Sequence, residues 1–224
     1  MKLLFATGND FKFKLMQDRL SCFEELELVN PKMLGVHIDV DENGRTAEEN
    51  ATIKAQAYYD ATGIPTIAED SGLYIDKFRE DEQPGLYVKR VNGKEGLSDD
   101  EILNYYINKL KEYNGRSLAH YYTGVCVIDE NGNVTSDTIE EEEFLLTVNK
   151  CKRVNLKGGI LECISYDLDA EKYFAERTPE EEEQHYKSLN DRYRDIIKEH
   201  IIGRGKARWM IIKYQMNIKV ELEN

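Results

Sequence analysis

The chain is short of positive charge, of paired cysteines and of long apolar runs, and each shortage removes a class of function. It carries 30 Lys and Arg against 43 Asp and Glu, a formal net charge of −13. A binder of duplex nucleic acid or of an anionic membrane needs a basic footprint, so neither class fits. A small phosphorylated substrate stays open, because a few local donors and a metal outweigh the global field. The four cysteines, Cys22, Cys126, Cys151 and Cys163, show no CxxC or zinc-site spacing and read as buried or inert thiols of a reducing compartment. No apolar stretch approaches the roughly 20 residues of a membrane span, and the apolar part of "MKLLFATGND" is too short for a signal peptide. The expectation is a soluble, cytoplasmic protein. Repeats, low-complexity tracts and flexible linkers are also missing, so residues 1–224 are expected to form a single domain of two lobes, with no independent second domain.

What is present alternates early between strand-like and helix-like segments. "KLLFAT" (2–7) is a short apolar run that meets Gly8 and Asn9, and Phe11, Leu15, Met16 and Leu20 then recur at helical spacing. "LELVN" (26–30) predicts a second strand. Residues 46–63 predict a helix with Thr46 as cap, Glu49 at the capping-box position and Gly63 at its end. Pro65 leads into "TIAEDSG" (66–72), with a continuation through "LYID". A capped helix over 98–113, a hairpin over 118–135 turning at "DENGN", and a strand within 141–154 follow. A long charged helix over 178–202 and a last strand beyond Arg208 complete a mixed α/β or α+β pattern.

Two places carry chemistry. "TGNDFK" (7–12) is a strand-turn-helix entry with Thr7, Asn9 and Lys12. Helix-start amides, a hydroxyl, an amide and an ammonium together attract an anion, although the GxxxxGK[ST] spacing of a P-loop is absent. On this segment alone an ordinary capped turn is the simpler account. "IAEDSGLYID" (67–76) sets Glu69 and Asp70 after an apolar strand, and the reading is that both turn at a cleft edge to meet a metal. Adjacent buried carboxylates without partners are very costly, and a divalent cation resolves that cost. "GRGKAR" (203–208) beside Trp209 and the tyrosines at 105, 106, 121 and 122 read more simply as a solvated turn and as packing or dimer-face residues.

In order, "FATGNDFK", "TAEENATIKA", "AEDSGLYID" and "PGLYVKR" (84–90) resemble the motifs of the inosine triphosphate pyrophosphatase family. The resemblance covers roughly the first 90 residues well and the remainder loosely. It implies an elongated, two-lobed mixed α/β fold with a central mixed sheet, an active-site cleft between the lobes, and a homodimer. It also implies Mg²⁺-dependent cleavage of a nucleoside triphosphate, such as ITP, dITP or XTP, to the monophosphate and pyrophosphate. Carried over, Thr7, Gly8, Asn9 and Lys12 hold the phosphates, Lys12 also taking up charge on the leaving group. Glu49 and Asp70 bind metal, with Glu69 a further candidate. Asp70 activates the attacking water, Ser71 donates to a phosphate oxygen, and Lys54 reaches the phosphates or neutralises carboxylates.

The base-reading half departs from that pattern. Leu15 stands where the family has Glu. The Gly-Phe-Gly-Tyr-Asp-Pro loop corresponds to "GGILECIS" (158–165), where an acid, Glu162, is kept and the aromatic is not. "FAERTPEE" (174–181) resembles the family's Phe-Ala-Glu-Leu segment, but Ser-His-Arg after it falls on Asn190, Asp191 and Arg192, with Lys187 standing in for the preceding lysine. Three readings stay open: altered base or sugar preference, a conventional ITP and XTP enzyme, and a catalytically silent nucleotide-binding protein. A metal-dependent phosphatase releasing orthophosphate is a further competitor.

Overall fold

Three consecutive apolar residues, each fully buried, make β1 (Lys2–Phe5) the interior strand of a sheet covered on both faces. It lies parallel to both of its neighbours, β2 (Glu27–Val29) and β3 (Thr66–Ile75). The computed structural model describes residues 1–94, 96–152 and 159–203. Between β1 and β2 runs α1 (Asp10–Leu20), and between β2 and β3 run α2 (Pro31–Leu34) and α3 (Ala47–Thr62). Thr46 caps α3 as its sequence predicts, accepting from Glu49 N–H at 3.1 Å, and Gly63 closes the helix at φ 64°, a conformation open chiefly to glycine.

The rest of the sheet is antiparallel. β4 (Arg116–Ile128) pairs with the whole of β3 through its residues 119–128, and forks on its other edge. Its residues 122–128 pair with β5 (Val134–Glu140), and its residues 116–119 pair with β6 (Phe144–Thr147), which leads to β7 (Ser165–Asp167) and β8 (Lys172–Tyr173). The fork divides the packing into two ends. At one end α4 (Asp99–Glu112) lays Ile102, Leu103, Tyr106, Ile107 and Leu110 against Leu73, Ile75, Phe144 and Leu146. At the other, Phe13, Met16 and Leu20 of α1 meet Ile67, Val125 and Val127 of the sheet. A smaller cluster of Ala51, Ala55, Ala68, Cys126 and Ile128 fixes α3 to the opposite face. Each large side chain so buried contributes roughly 1.5–3 kcal/mol.

The mixed α/β class with a central mixed sheet is therefore as expected, and four details differ. First, Glu69 and Asp70 do not turn away from the sheet: β3 passes straight through them and, with the expected continuation through "LYID", runs without a break to Ile75, where Leu73 and Ile75 are fully buried core residues. Second, the expected helix over 178–202 breaks at Tyr186 into α5 (Pro179–His185) and α6 (Lys187–Ile197), followed by a wider turn over Lys198–Ile202. Third, Glu49 does not complete a capping box, since its carboxylate accepts from Arg45 N–H at 2.6 Å. Fourth, Cys22 is exposed; Cys126 is buried, which pushes its thiol up to about 11. The expected last strand, residues 204–208 of the basic turn and Trp209 lie outside the described residues, as does Gly158.

Candidate active site

The site begins where β1 stops short of β3. β1 pairs with β3 only at Leu4 with Thr66 and Phe5 with Ile67, and Ala6 N–H donates to Ile67 O at 2.9 Å. Along that edge β3 is next met by Gly85, which exchanges hydrogen bonds of 2.9 and 3.0 Å with Leu73. Residues 68–72 face the gap between. The turn after β1 fills one side of it. Asn9 N–H donates to Thr7 Oγ1 and Lys12 N–H to Asn9 Oδ1, both at 3.2 Å, so Thr7 and Asn9 shape the entry to α1. Gly8 has open space where a Cβ would stand. Partial positive charge at the start of α1 and the Lys12 ammonium thus converge beside the open edge of β3.

Successive residues of a strand point to opposite faces, and this separates the expected carboxylate pair. Glu69 faces α1 and α6. Its carboxylate lies 3.3 Å from Lys12 Nζ and 3.8 Å from Arg19 Nη1, and accepts from the Tyr193 hydroxyl. The Arg19 guanidinium in turn sits 4.1 Å from the centre of the Tyr193 ring. Burial works to raise Glu69, but the charges of Lys12 and Arg19 and the Tyr193 hydrogen bond outweigh it and hold the carboxyl below its ordinary range. Lys12 is the converse case. Burial works to lower it, and Glu69, with smaller help from Asp70 and Glu141, keeps the ammonium charged. Ser71 shares this face, its hydroxyl 2.7 Å from Thr123, which donates to Glu141 at 2.6 Å.

Asp70 faces α3. Asn50 Nδ2 donates to Asp70 Oδ2 at 2.8 Å, and Asn50 Oδ1 accepts from Gly44 N–H at 2.8 Å, so this buried amide ties the loop before α3 to β3. Glu49, one residue earlier on the first turn of α3, stands at the same end of the helix. Lys54, one turn later, donates to Glu69 O at 3.3 Å and pairs with Glu42 at 2.9 Å. The approach of α3 to the sheet is set by Gly124: a Cβ there would fall 2.1 Å from Glu48 N and 2.3 Å from Ala47 C.

A divalent cation suits the Asp70 face. Glu49 and Asp70 each commit one carboxylate oxygen to a neutral N–H donor and keep a second, hard oxygen ligands of the kind Mg²⁺ takes. Glu69 differs, being neutralised by two cationic side chains on the other face. Asp76, His120 and Glu143 form a separate carboxylate–imidazole cluster with donor atoms within 4.8 Å of one another; Asp76 and Glu143 are exposed, and none of the sequence-predicted residues belongs to it.

The sequence-predicted base-reading residues lie in different elements, Glu162 in one and Lys187 and Arg192 in α6. Glu162 lies in a short turn, Ile160–Cys163, where burial and the charge of Glu182 raise its carboxyl against the pull of Arg177. Lys187 and Arg192 line an open groove of about 510 Å³ with Glu142, Gln184, Ser188, Asp191 and Asp195. Arg192 is engaged by Asp137 of β5, through Nε at 3.1 Å and through Nη2. Among the described residues, no hydrogen bond or ion pair joins either to Glu162 or to Lys12.

Several residues of the site were not singled out from sequence. Asn50 falls in the first turn of the helix expected over 46–63, and Glu141 at the start of the segment expected to hold a strand, 141–154. Arg19 and Tyr193 sit on separate helices that meet only in the fold. Arg177 is buried with Nη1 3.2 Å from Asp167 and its guanidinium 3.9 Å from the Phe174 ring, and His185, pushed down to about 4 by burial and then by Arg177, contacts the same Asp167 at 3.2 Å.

Comparison with known proteins agrees with the fold. A Ham1 protein from Coxiella burnetii superposes with a TM-score of 0.70 at 24% identity, over 89% of this chain and 99% of that one. The Staphylococcus aureus Ham1 protein gives 0.68 at 22% identity, over 87% and 99%. The architecture is thus that of the Ham1 structures. Residues 3–184 match the sequence profile of the Ham1 family, and the chain belongs to that family. Among curated relatives, a protein of Leptospira biflexa serovar Patoc named dITP/XTP pyrophosphatase is 38% identical over 133 residues, 59% of this chain and 65% of its own length. One of the same name from Treponema denticola is 35% identical over 133 residues, 58% of this chain and 66% of its own. The chain therefore spans just under two thirds of the length of these relatives. The profile match ends at Gln184, before Lys187 and Arg192.

Proposed function

We propose that the chain is a metal-dependent nucleoside triphosphate pyrophosphatase, releasing the monophosphate and pyrophosphate from deaminated or otherwise non-standard purine nucleotides such as ITP, dITP or XTP. The observation that carries the reading is the placement of Lys12 and Asp70 on either side of the same open segment of β3, one beside a helix start and the other bonded to Asn50, the residue after Glu49 on α3. The name shared by the curated relatives supports it.

In this reading Thr7, Gly8, Asn9 and the first amides of α1 receive the phosphate chain, and Lys12 neutralises charge developing on the pyrophosphate leaving group. Glu69 keeps Lys12 charged and aimed. Glu49 and Asp70 hold Mg²⁺, which when bound polarises the phosphoryl group and acidifies a water. Asp70, oriented by Asn50, accepts the proton of the attacking water. Ser71 meets a phosphate oxygen, and Lys54 offsets the surrounding carboxylates. Glu162, Lys187 and Arg192 are assigned to the base and sugar end. A homodimer in the cytoplasm belongs to the same reading; no helix among the described residues is long and apolar enough to cross a membrane.

Product analysis on a panel of (d)NTPs with Mg²⁺ tests it. Pyrophosphate from ITP, dITP or XTP is the expected outcome. Orthophosphate as first product, or no turnover of any nucleotide by the folded protein, would remove the reading. Sedimentation at micromolar concentration tests the dimer.

A further inference from the structure

Thr123 stands in the middle of a three-member chain of side chains. Its hydroxyl lies 2.7 Å from Ser71 Oγ and 2.6 Å from Glu141 Oε1, and the residue is 3% exposed. Glu141 N–H donates to Tyr121 O at 2.9 Å, which holds the acid against β4 directly after β5. Each hydroxyl has one proton to give, so the direction of the chain is set at its acidic end. An ionised Glu141 only accepts. Thr123 must then donate to Glu141, Ser71 must donate to Thr123, and Ser71 turns lone pairs outward. A neutral Glu141 allows every link to reverse: it can donate to Thr123, Thr123 to Ser71, and the Ser71 proton is then free for an acceptor outside. Outward donation by Ser71 beside an ionised Glu141 would leave the buried Thr123 oxygen and the half-buried Ser71 oxygen 2.7 Å apart with no proton between them.

We infer that Glu141 is a positioning residue for Ser71: through Thr123 it determines whether Ser71 offers a proton or lone pairs to a phosphate oxygen in the cleft. The inference rests on the proposed role of Ser71 as a phosphate contact. The surroundings of Glu141 support it. Lys12 and Arg19 of α1 and Glu69 of β3 act on it, and its own charge in turn raises Tyr121 of β4, and Tyr186 and Tyr193 beside and on α6. Burial is the largest influence and raises the carboxyl, the Thr123 hydrogen bond opposes it, and Glu69 adds to the rise against Arg19 and Lys12. The neutral form therefore survives to higher pH than in an ordinary glutamate. A phosphate docking at Lys12 brings more negative charge and favours the neutral form further, so binding takes up a proton.

The test is kcat and KM against pH for the wild type, Glu141→Gln, Thr123→Val and Ser71→Ala, all close to isosteric. In the wild type KM should rise roughly tenfold as pH climbs through the titration of Glu141, the size of one hydrogen bond to a charged group, with kcat nearly level. Glu141→Gln should hold the low KM at every pH, because its amide can always donate to Thr123. Thr123→Val should also lose the dependence, its relay being cut, and Ser71→Ala should be flat and high. In infrared difference spectra a protonated-carboxyl band should titrate in the wild type and vanish in Glu141→Gln. An unchanged KM profile in Glu141→Gln, or no such band to lose, overturns the inference. Failure of the wild type to release pyrophosphate would instead defeat the functional reading, and the infrared band would still decide the state of Glu141.

Discussion

Glu69 and Asp70 are neighbours in the chain and belong to opposite faces of one strand. Glu69 is held by Lys12 and Arg19, whereas Asp70 is held by Asn50. A short acidic dipeptide therefore supplies two different groups, a counter-ion for Lys12 and Arg19 and, in the proposed function, an oxygen donor for a cation.

The first prediction concerns Asp70. Asp70→Asn keeps an oxygen to accept from Asn50, so the melting temperature should move by no more than a few degrees. Pyrophosphate release should fall roughly 10²–10⁴-fold, the range for loss of a general base. Equal activity in the variant would show that Asp70 neither binds metal nor activates water.

Glu69→Gln should behave differently, costing stability as well as activity. It leaves Lys12 and Arg19 without their shared counter-charge. A fully buried pair broken in this way costs ~3–5 kcal/mol, and about 2–3 is expected here because the Lys12 side chain remains 37% exposed. The pH dependence has a definite sign. Since the folded carboxyl is held below its ordinary value of 4.5, its contribution is fully present above that value and is lost as pH falls through the lower, folded value. Chemical denaturation between pH 3 and 7 should give a flatter acid limb in the variant. Parallel limbs would mean that Glu69 is not the linked group.

The contrast between those two residues also shows what was legible in advance. "FATGNDFK" carries its own punctuation, an apolar run, a glycine and a helical period, so β1, the turn and α1 could be read locally. Thr46 and Gly63 bounded α3 for the same reason. The run of β3 through "LYID" was legible too, but the split of Glu69 and Asp70 between two faces was not, because it depends on which of α1, α6 and α3 each carboxylate meets. Tyr186 breaks a segment whose composition is helical throughout, at a point where its ring lies 5.2 Å from the Arg177 guanidinium and 4.8 Å from His185. Asn50, Thr123, Glu141 and Tyr193 gain their meaning from contacts 18 to 124 residues away, which no local pattern records.

Gly124→Ala should be among the most damaging small substitutions. The added methyl would overlap the backbone of Ala47 and Glu48 at 2.1–2.4 Å, and backbone at the start of a capped helix cannot turn aside as a side chain does. Overpacking of this kind costs about 1–3 kcal/mol and moves α3 away from the sheet. Glu49 and Asn50 move with it, so metal affinity should fall together with melting temperature. A variant with wild-type Mg²⁺ affinity would show that the first turn of α3 does not set the metal site.

Asn50 allows the metal assignment to be tested without turnover. In Asn50→Ala, Gly44 N–H and Asp70 both lose a buried partner, and about 1–3 kcal/mol should be lost whether or not metal is present. Asn50→Asp keeps an acceptor for Gly44 but sets a second carboxylate where the amide stood 2.8 Å from Asp70. Like charges at that distance destabilise the metal-free protein, and a divalent cation between them relieves the repulsion. Asn50→Asp should therefore melt below the wild type in EDTA and regain most of the difference in millimolar Mg²⁺, while Asn50→Ala should gain no more from Mg²⁺ than the wild type does. If Mg²⁺ raises all three melting temperatures equally, the cation binds away from Asp70, and Glu49 and Asp70 must be given another role.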